Sequence, residues 1–311
     1  MAVRAATGTA IALGLRKGKA FSHPTTAHLL TPGRCVYDCA YCTKAKTSTS
    51  PPEYMCRVTW PLFVESDVWE ALEERKSEFK RICLQVVNRP GCFATAQNWL
   101  EEIRSRCDLP VSVEIRTEDS RMIGDLIGSG ANCIGLPIDV ASERLYSNLR
   151  GGELKEALSL LISAARSFPG MISTHIIVGL GETDREIVEI CRKLSVENIP
   201  IALFAFTPCK GTRLESKEPP RLERYRRIQV ATYLISQDPR IELEYDQNER
   251  LILPSLQKDS LLEIIPKALL TRGCDGCNRP FYNERPGCTP YNYPEELDDE
   301  RIAKEAEVML T

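Results

Sequence analysis

Three cysteines stand in one short run, Gly33-Arg34-Cys35-Val36-Tyr37-Asp38-Cys39-Ala40-Tyr41-Cys42. Their Cys-x3-Cys-x2-Cys spacing gathers three thiolates in a single loop, whereas a closed tetrahedral metal site needs four ligands. One metal position is therefore left open. On a four-iron cube, an iron without a protein ligand can bind a small molecule, which turns an electron store into a catalyst. The other reading is a structural zinc site or a group of thiols packed as small hydrophobes, and the charged and glycine neighbours of the run argue against it.

A second set of thiols lies near the end, in Gly273-Cys274-Asp275-Gly276-Cys277, with Cys288 further along. Cys-x2-Cys is a metal-binding bite, and Cys288 offers a third ligand. A redox disulfide or a zinc knuckle is the alternative. Cys56, Cys83, Cys92, Cys107, Cys133, Cys191 and Cys209 mostly stand singly in apolar or helical stretches, where core burial is the simpler reading; Cys56 and Cys92 lie in loop-like surroundings. His23, His28 and His175 are remote from both sets and read as core or cavity-wall residues rather than metal ligands.

The elements that must hold these cysteines alternate between strands and helices. Residues 81–87, 111–115, 133–137, 172–178 and 201–206 read as strands, preceded by 25–30 and followed by the weaker runs 241–245 and 267–270. Among the helices, 154–168 puts Leu154, Leu158, Leu161, Ala165 and Phe168 on one face before Pro169-Gly170 ends it. Thr183 with Glu186 three residues later forms a capping box, and Leu222, Tyr225, Ile228, Ala231 and Ile235 mark a further helix. The alternation is that of a parallel α/β sheet, either a barrel or an open doubly wound sheet. Eight strands would complete a (β/α)8 TIM-type barrel, a fold that uses about 250 residues. The chain then divides into an N-terminal helix or arm at 1–22, a barrel at 23–272 and a cysteine-containing extension with a terminal helix at 273–311. Loops at the C-terminal ends of barrel strands form the active face, so the loop of Cys35 should open there. With eight strands, the last lies beside the first, and Cys274 and Cys277 should meet the first set at the same mouth.

The triad, with an aromatic residue just before its last cysteine, resembles the signature of the radical S-adenosylmethionine (SAM) enzymes. The resemblance implies a [4Fe-4S] cluster with an open iron that chelates the amino and carboxylate groups of SAM, and cleavage of SAM to a 5'-deoxyadenosyl radical. Many members have only a partial, six-strand barrel with an irregular extension. The run His175-Ile176-Ile177-Val178-Gly179-Leu180-Gly181-Glu182-Thr183 is similar to the strand-five motif of biotin synthase and its relatives, which implies contact of Gly179, Gly181 and Glu182 with SAM. By the same resemblance Tyr41, Glu114, Arg116 and Asp139 fall where members bind SAM. The Gly-Gly-Glu element that many members carry after strand two is replaced by Asn88-Arg89-Pro90-Gly91.

The segment from Cys274 to Gly287, followed by Tyr291-Asn292-Tyr293-Pro294, resembles the archaeal-type two-protein lipoyl synthases. That likeness implies a second, sacrificial [4Fe-4S] cluster at Cys274, Cys277 and Cys288. It also implies sulfur insertion at C6 or C8 of an octanoyl chain carried by a lipoyl carrier protein or peptide. A second radical SAM lipoyl synthase subunit and an electron donor such as ferredoxin would be the partners. Sulfur insertion into another substrate, an electron-relay second cluster and a non-catalytic metal scaffold are the alternatives, and the open three-cysteine site argues against the scaffold.

Composition excludes other classes. With 43 acidic and 40 basic side chains the net charge is −3, which implies no broad nucleic-acid-binding surface. No apolar run approaches the roughly 20 residues of a membrane span. Arg16, Lys17 and Lys19 follow the first apolar stretch, reversing the charge order of a secretory signal. Thirteen cysteines without such a signal point to a reducing compartment, the cytoplasm.

Overall fold

The computed structural model describes residues 2–252, 258–285 and 287–310; Met1, residues 253–257, Pro286 and Thr311 lie outside the described residues. The main sheet contains β1 (Ala2–Ala5), β2 (Thr26–Leu30), β3 (Leu62–Val64), β4 (Arg81–Gln85), β5 (Val111–Glu114), β6 (Cys133–Gly135), β7 (Ile172–Val178) and β8 (Ile201–Ala205). Their spatial order is β8-β7-β6-β5-β4-β2-β1-β3. From β2 to β8 all neighbours run parallel, whereas β1 pairs antiparallel with β2 and with β3.

Ten helices cover the described chain: α1 (Thr7–Ala12), α2 (Glu65–Glu74), α3 (Cys92–Arg106), α4 (Ser120–Gly128), α5 (Glu143–Arg150), α6 (Leu154–Ser167), α7 (Asp184–Val196), α8 (Leu222–Gln237), α9 (Lys258–Ala268) and α10 (Asp299–Leu310). Helix α6 buries Leu154, Leu158, Leu161 and Ala164, the apolar stripe of the sequence. Helix α7 starts at the predicted capping box, with Thr183 accepting from the Glu186 amide and the Glu186 carboxylate accepting from the Thr183 amide.

The parallel strands carry two different faces, because side chains alternate with period two. Ala27, Leu29, Ile82, Leu84, Val111 and Val113 are fully buried in the main hydrophobic core. The other register, Thr26, His28, Arg81, Cys83, Gln85 and Glu114, lines an internal cavity. Polar residues on an inward face mark a binding cavity rather than packed core.

Two of the strands expected from sequence do not join the sheet. Within 241–245, only Glu244–Tyr245 is extended, and it pairs with Leu251–Ile252 in a separate hairpin. At 267–270, Lys267 and Ala268 end helix α9, and Leu270 makes a single bridge to Tyr293. The parallel part therefore stops at six strands, the partial form of the barrel. Ile241, Leu243 and Tyr245 do form one apolar face, but it packs against the main core from outside the sheet, with Glu242 and Glu244 exposed on the other side. The N-terminal arm holds the expected helix as the short α1, preceded by β1, whose Val3 and Ala5 are completely buried beside β2.

A six-strand barrel has an open side and an open base, and the segment after Arg272 covers both. The Arg81 guanidinium donates to the Asp275 carbonyl, the Thr25 amide donates to the Asn278 side chain, and Asn278 in turn donates to the His23 carbonyl. These contacts lie at the N-terminal ends of β2 and β4. Further along, Asn283 donates to the Ala205 carbonyl at the end of β8, while Arg57 donates to the Phe281 carbonyl from across the gap. Helices α8, α9 and α10 pack behind this segment around Val230, Leu261, Ile265, Leu269, Tyr293 and Ala306. Within that cluster Arg226 and Glu305 form a buried ion pair at 2.6 Å. No described helix is long and apolar enough to cross a membrane.

Candidate functional site

A cavity of ≈ 260 Å³ runs through the barrel. Cys35, Cys39 and Cys42 line it in the loop that leaves β2, at the C-terminal ends of the strands, as the barrel geometry predicts. Backbone amides face two of the sulfurs: Tyr37 donates to the Cys35 Sγ and Lys44 to the Cys42 Sγ, each at 3.4 Å. Arg116 approaches the Cys39 Sγ at 3.8 Å and lies flat over the Tyr37 ring. Burial raises the Cys35 thiol and pushes Cys42 up to about 12, so both are protonated until a metal takes the proton's place.

Cys274 and Cys277 line the same cavity, at its opposite end. Cys274 meets Ser112 at 3.5 Å, near the start of β5, and Cys277 meets His28 at 4.0 Å. The two sets thus share a cavity but not a mouth. This corrects the expectation from an eight-strand barrel: without strands seven and eight, the segment is free to pass beneath the sheet and plug its base. Cys288 is exposed and is absent from the cavity wall. Among the described residues no three histidine, cysteine, aspartate or glutamate side chains converge tightly enough to bind a single metal ion. Neither set is preformed around a lone zinc.

Between the two ends stands a buried polar hub. Asp139, held at φ 57°, accepts from the Tyr41 hydroxyl at 2.6 Å, pairs with His175 at 3.0 Å and contacts the Arg150 guanidinium. Burial would raise its carboxyl, but the charges of Arg150 and His175, with hydrogen bonds from His175 and Tyr41, hold it well below the usual range. Glu114 lies 3.7 Å from the other side of His175, and burial, with Cys274 nearby, raises its carboxyl to about 7. Gly135 makes room for it, since a Cβ there would fall 1.8 Å from a Glu114 oxygen. Tyr41, Glu114, Arg116 and Asp139 all line the cavity.

Gly179, Gly181 and Glu182 do not reach it. Both glycines adopt positive φ, and a Cβ on Gly179 would approach Pro220 to 2.8 Å. The Glu182 carboxylate accepts from the Gly179 amide and from Arg224, so it ties the end of β7 to α7 and α8. Asn88, in place of the missing glutamate element, lines the cavity and braces the triad loop: its carbonyl accepts from the Val36 amide and its side chain donates to the Arg116 carbonyl.

Other wall residues escaped the sequence reading. Cys83, assigned to the core, lines the cavity, and Cys133 stands on the same face two strands away, its Sγ 3.3 Å from the Ser173 hydroxyl. Cys56 lines the cavity with Tyr282, while Cys209 donates to the Thr207 carbonyl just behind it. Arg150, Phe204, Tyr282 and Asn283 complete the lining. The usable signal was the period-two placement of polar residues on β2, β4 and β5, which the apolar neighbours of each obscured.

Residues 29–194 match the family model described as Radical SAM superfamily. The chain belongs to the radical SAM superfamily. Biotin synthase of Thermodesulfovibrio yellowstonii is 29% identical over 198 residues, covering 60% of this chain and 58% of that protein. Biotin synthase of Acaryochloris marina is 23% identical over 184 residues, covering 58% and 51%. The chain thus spans a little over half the length of these curated relatives. Among solved structures, methylornithine synthase (PylB) superposes with a TM-score of 0.55 at 16% identity, covering 69% of this chain and 62% of that one. The hydrogenase maturase HydG of Carboxydothermus hydrogenoformans also gives 0.55, at 15% identity, over 68% and 51%. These likenesses share the fold. Membership of this superfamily implies a [4Fe-4S] cluster and SAM, and a half-buried loop of three thiols facing a cavity suits a cluster with one open iron.

Proposed function

We propose that this radical SAM enzyme inserts sulfur into an unactivated C–H bond, acting in the manner of a lipoyl synthase subunit on a protein-bound octanoyl chain. The observation that carries the reading is the placement of Cys35, Cys39 and Cys42 at one end of a cavity and Cys274 and Cys277 at the other. When bound, the first cluster with SAM supplies a 5'-deoxyadenosyl radical, and a second cluster supplies sulfide. Cys35, Cys39 and Cys42 would hold the first, and Cys274 and Cys277 part of the second. Arg116, Asp139, Tyr41 and Glu114 give the upper wall the charge and hydrogen-bonding capacity that an amino-acid headgroup and a ribose need. Alongside them, Val86, Ile177, Phe204 and Phe206 line the walls with apolar surface suited to an alkyl chain. Such walls align one C–H bond and exclude water and competing hydrogen donors.

A biotin-synthase-like sulfur insertion into another substrate is the second reading, favoured by the identity of the curated relatives. One experiment addresses both. Anaerobically reconstituted protein is incubated with SAM, reductant and an octanoyl-lysine peptide, alone and with a candidate partner subunit or ferredoxin. Deoxyadenosine with a thiolated peptide supports the lipoyl reading. Deoxyadenosine without sulfur transfer in any mixture contradicts it. Alanine at Cys35, Cys39 and Cys42 should abolish deoxyadenosine formation, whereas alanine at Cys274 and Cys277 should lower iron content and abolish thiolation but spare some SAM cleavage.

A further inference from the structure

His28, Cys83, Ser112 and Cys133 occupy one level of the barrel. In the parallel register His28 pairs with Cys83, Cys83 with Ser112 and Ser112 with Cys133, so four adjacent strands present these side chains side by side. Residues paired in register point to the same face. Here that face is the inward one, as the cavity positions of His28 and Cys83 show. The level is made of thiols, a hydroxyl and an imidazole, where a packed barrel would place branched aliphatic residues.

Cys274 and Cys277 enter directly against this row. Cys274 accepts at 3.5 Å from Ser112, the residue whose register partners on either side are Cys83 and Cys133, and Cys277 lies 4.0 Å from His28, the register partner of Cys83. Burial withholds water from the row, yet three polar atoms in this part of the molecule have no partner: the Thr26 Oγ1, the His28 Nδ1 and the Arg81 Nε. Buried polar atoms are normally satisfied, so such orphans beside four thiols mark a site built for a ligand. Arg81 and Arg279 bring positive charge to the same wall, and both act on Cys274. That charge suits an anionic, thiolate-bound group.

We propose that Cys83 and Cys133 complete, with Cys274 and Cys277, a four-thiol iron–sulfur site at the base of the cavity, and that Cys288 is not a ligand. The site draws two ligands from the plug segment and two from the barrel wall, so cluster binding fastens the plug to β4 and β6. Cys288 is exposed and stands off the cavity wall that Cys83, Cys274 and Cys277 line. The inference rests on the second cluster of the proposed function, and the test separates the two.

The protein carrying C35A, C39A and C42A isolates the base site. After anaerobic reconstitution it should retain about four iron atoms per chain. In that background C83S and C133S should each lose iron or shift the Fe–S stretching bands in resonance Raman spectra, whereas C288A and the core control C107A should match the parent. Melting of the metal-free proteins separates loss of a ligand from loss of fold, and serine keeps the side-chain size. Full iron with unchanged bands in both C83S and C133S would overturn the ligand assignment, all the more if C288A lost its iron. A triple variant that binds no iron at all would instead remove the second cluster itself.

Discussion

Asp139 gathers Tyr41, Arg150 and His175 beneath the triad, and its positive φ of 57° is a conformation that aspartate tolerates better than most residues. The pair with Arg150 is almost fully buried, the side chains being 8% and 5% exposed. Removing one charge of such a pair strands the other, which costs about 3 to 5 kcal/mol. Asp139→Asn should therefore lower stability by about that amount in urea denaturation of the metal-free protein. The pH dependence follows from the depressed carboxyl. Its contribution is fully present above the unfolded aspartate value of about 3.9 and is lost as pH falls through the lower folded value. Because Asp139 also raises the His175 imidazole, the gap between wild type and variant should widen as pH falls from neutral through the histidine range and shrink below about 4. A gap that closes near neutrality would contradict the hub.

The capping box and the plug separate what was legible in the chain from what was not. Thr183 and Glu186 specify the start of α7 through local hydrogen bonds, and for that reason the helix could be read directly. Thr183→Ala should cost about 1 kcal/mol, read as a lowered urea midpoint with an unchanged slope. The six parallel strands were equally legible, because their alternation and length are local properties. The strands expected at 241–245 and 267–270 were not, since short runs of mixed residues acquire a fate only from what they pack against. The triad was readable from spacing alone. The nearness of Cys83 and Cys133 to Cys274 depends instead on strand register and on a segment that returns from far along the chain. Asn283 tests the role of that segment. Its side chain donates to the Ala205 carbonyl and contacts Thr207, so Asn283→Ala removes the shorter of two bonds to that carbonyl, the other coming from the Thr207 hydroxyl, at a cost of about 1 kcal/mol. Hydrogen exchange should rise in residues 273–285 and remain unchanged in α7; equal acceleration in both would show that the segment is not a separate closure.

At the scale of the molecule, a six-strand barrel leaves its interior open, and the C-terminal segment converts that opening into a cavity with thiols at both ends. A closed eight-strand barrel packed with aliphatic layers would have no such interior. The arrangement places a substrate chain between a radical source and a sulfur source, so the order of events is set by depth in the cavity rather than by domain motion. The most direct test is the mass of an octanoyl-lysine peptide after anaerobic reaction with the doubly reconstituted enzyme, SAM and reductant. A mass increase of one sulfur atom, matched by deoxyadenosine and absent in the Cys274→Ala, Cys277→Ala protein, is the predicted result. Deoxyadenosine with an unaltered peptide, with or without a partner subunit, would contradict the assignment.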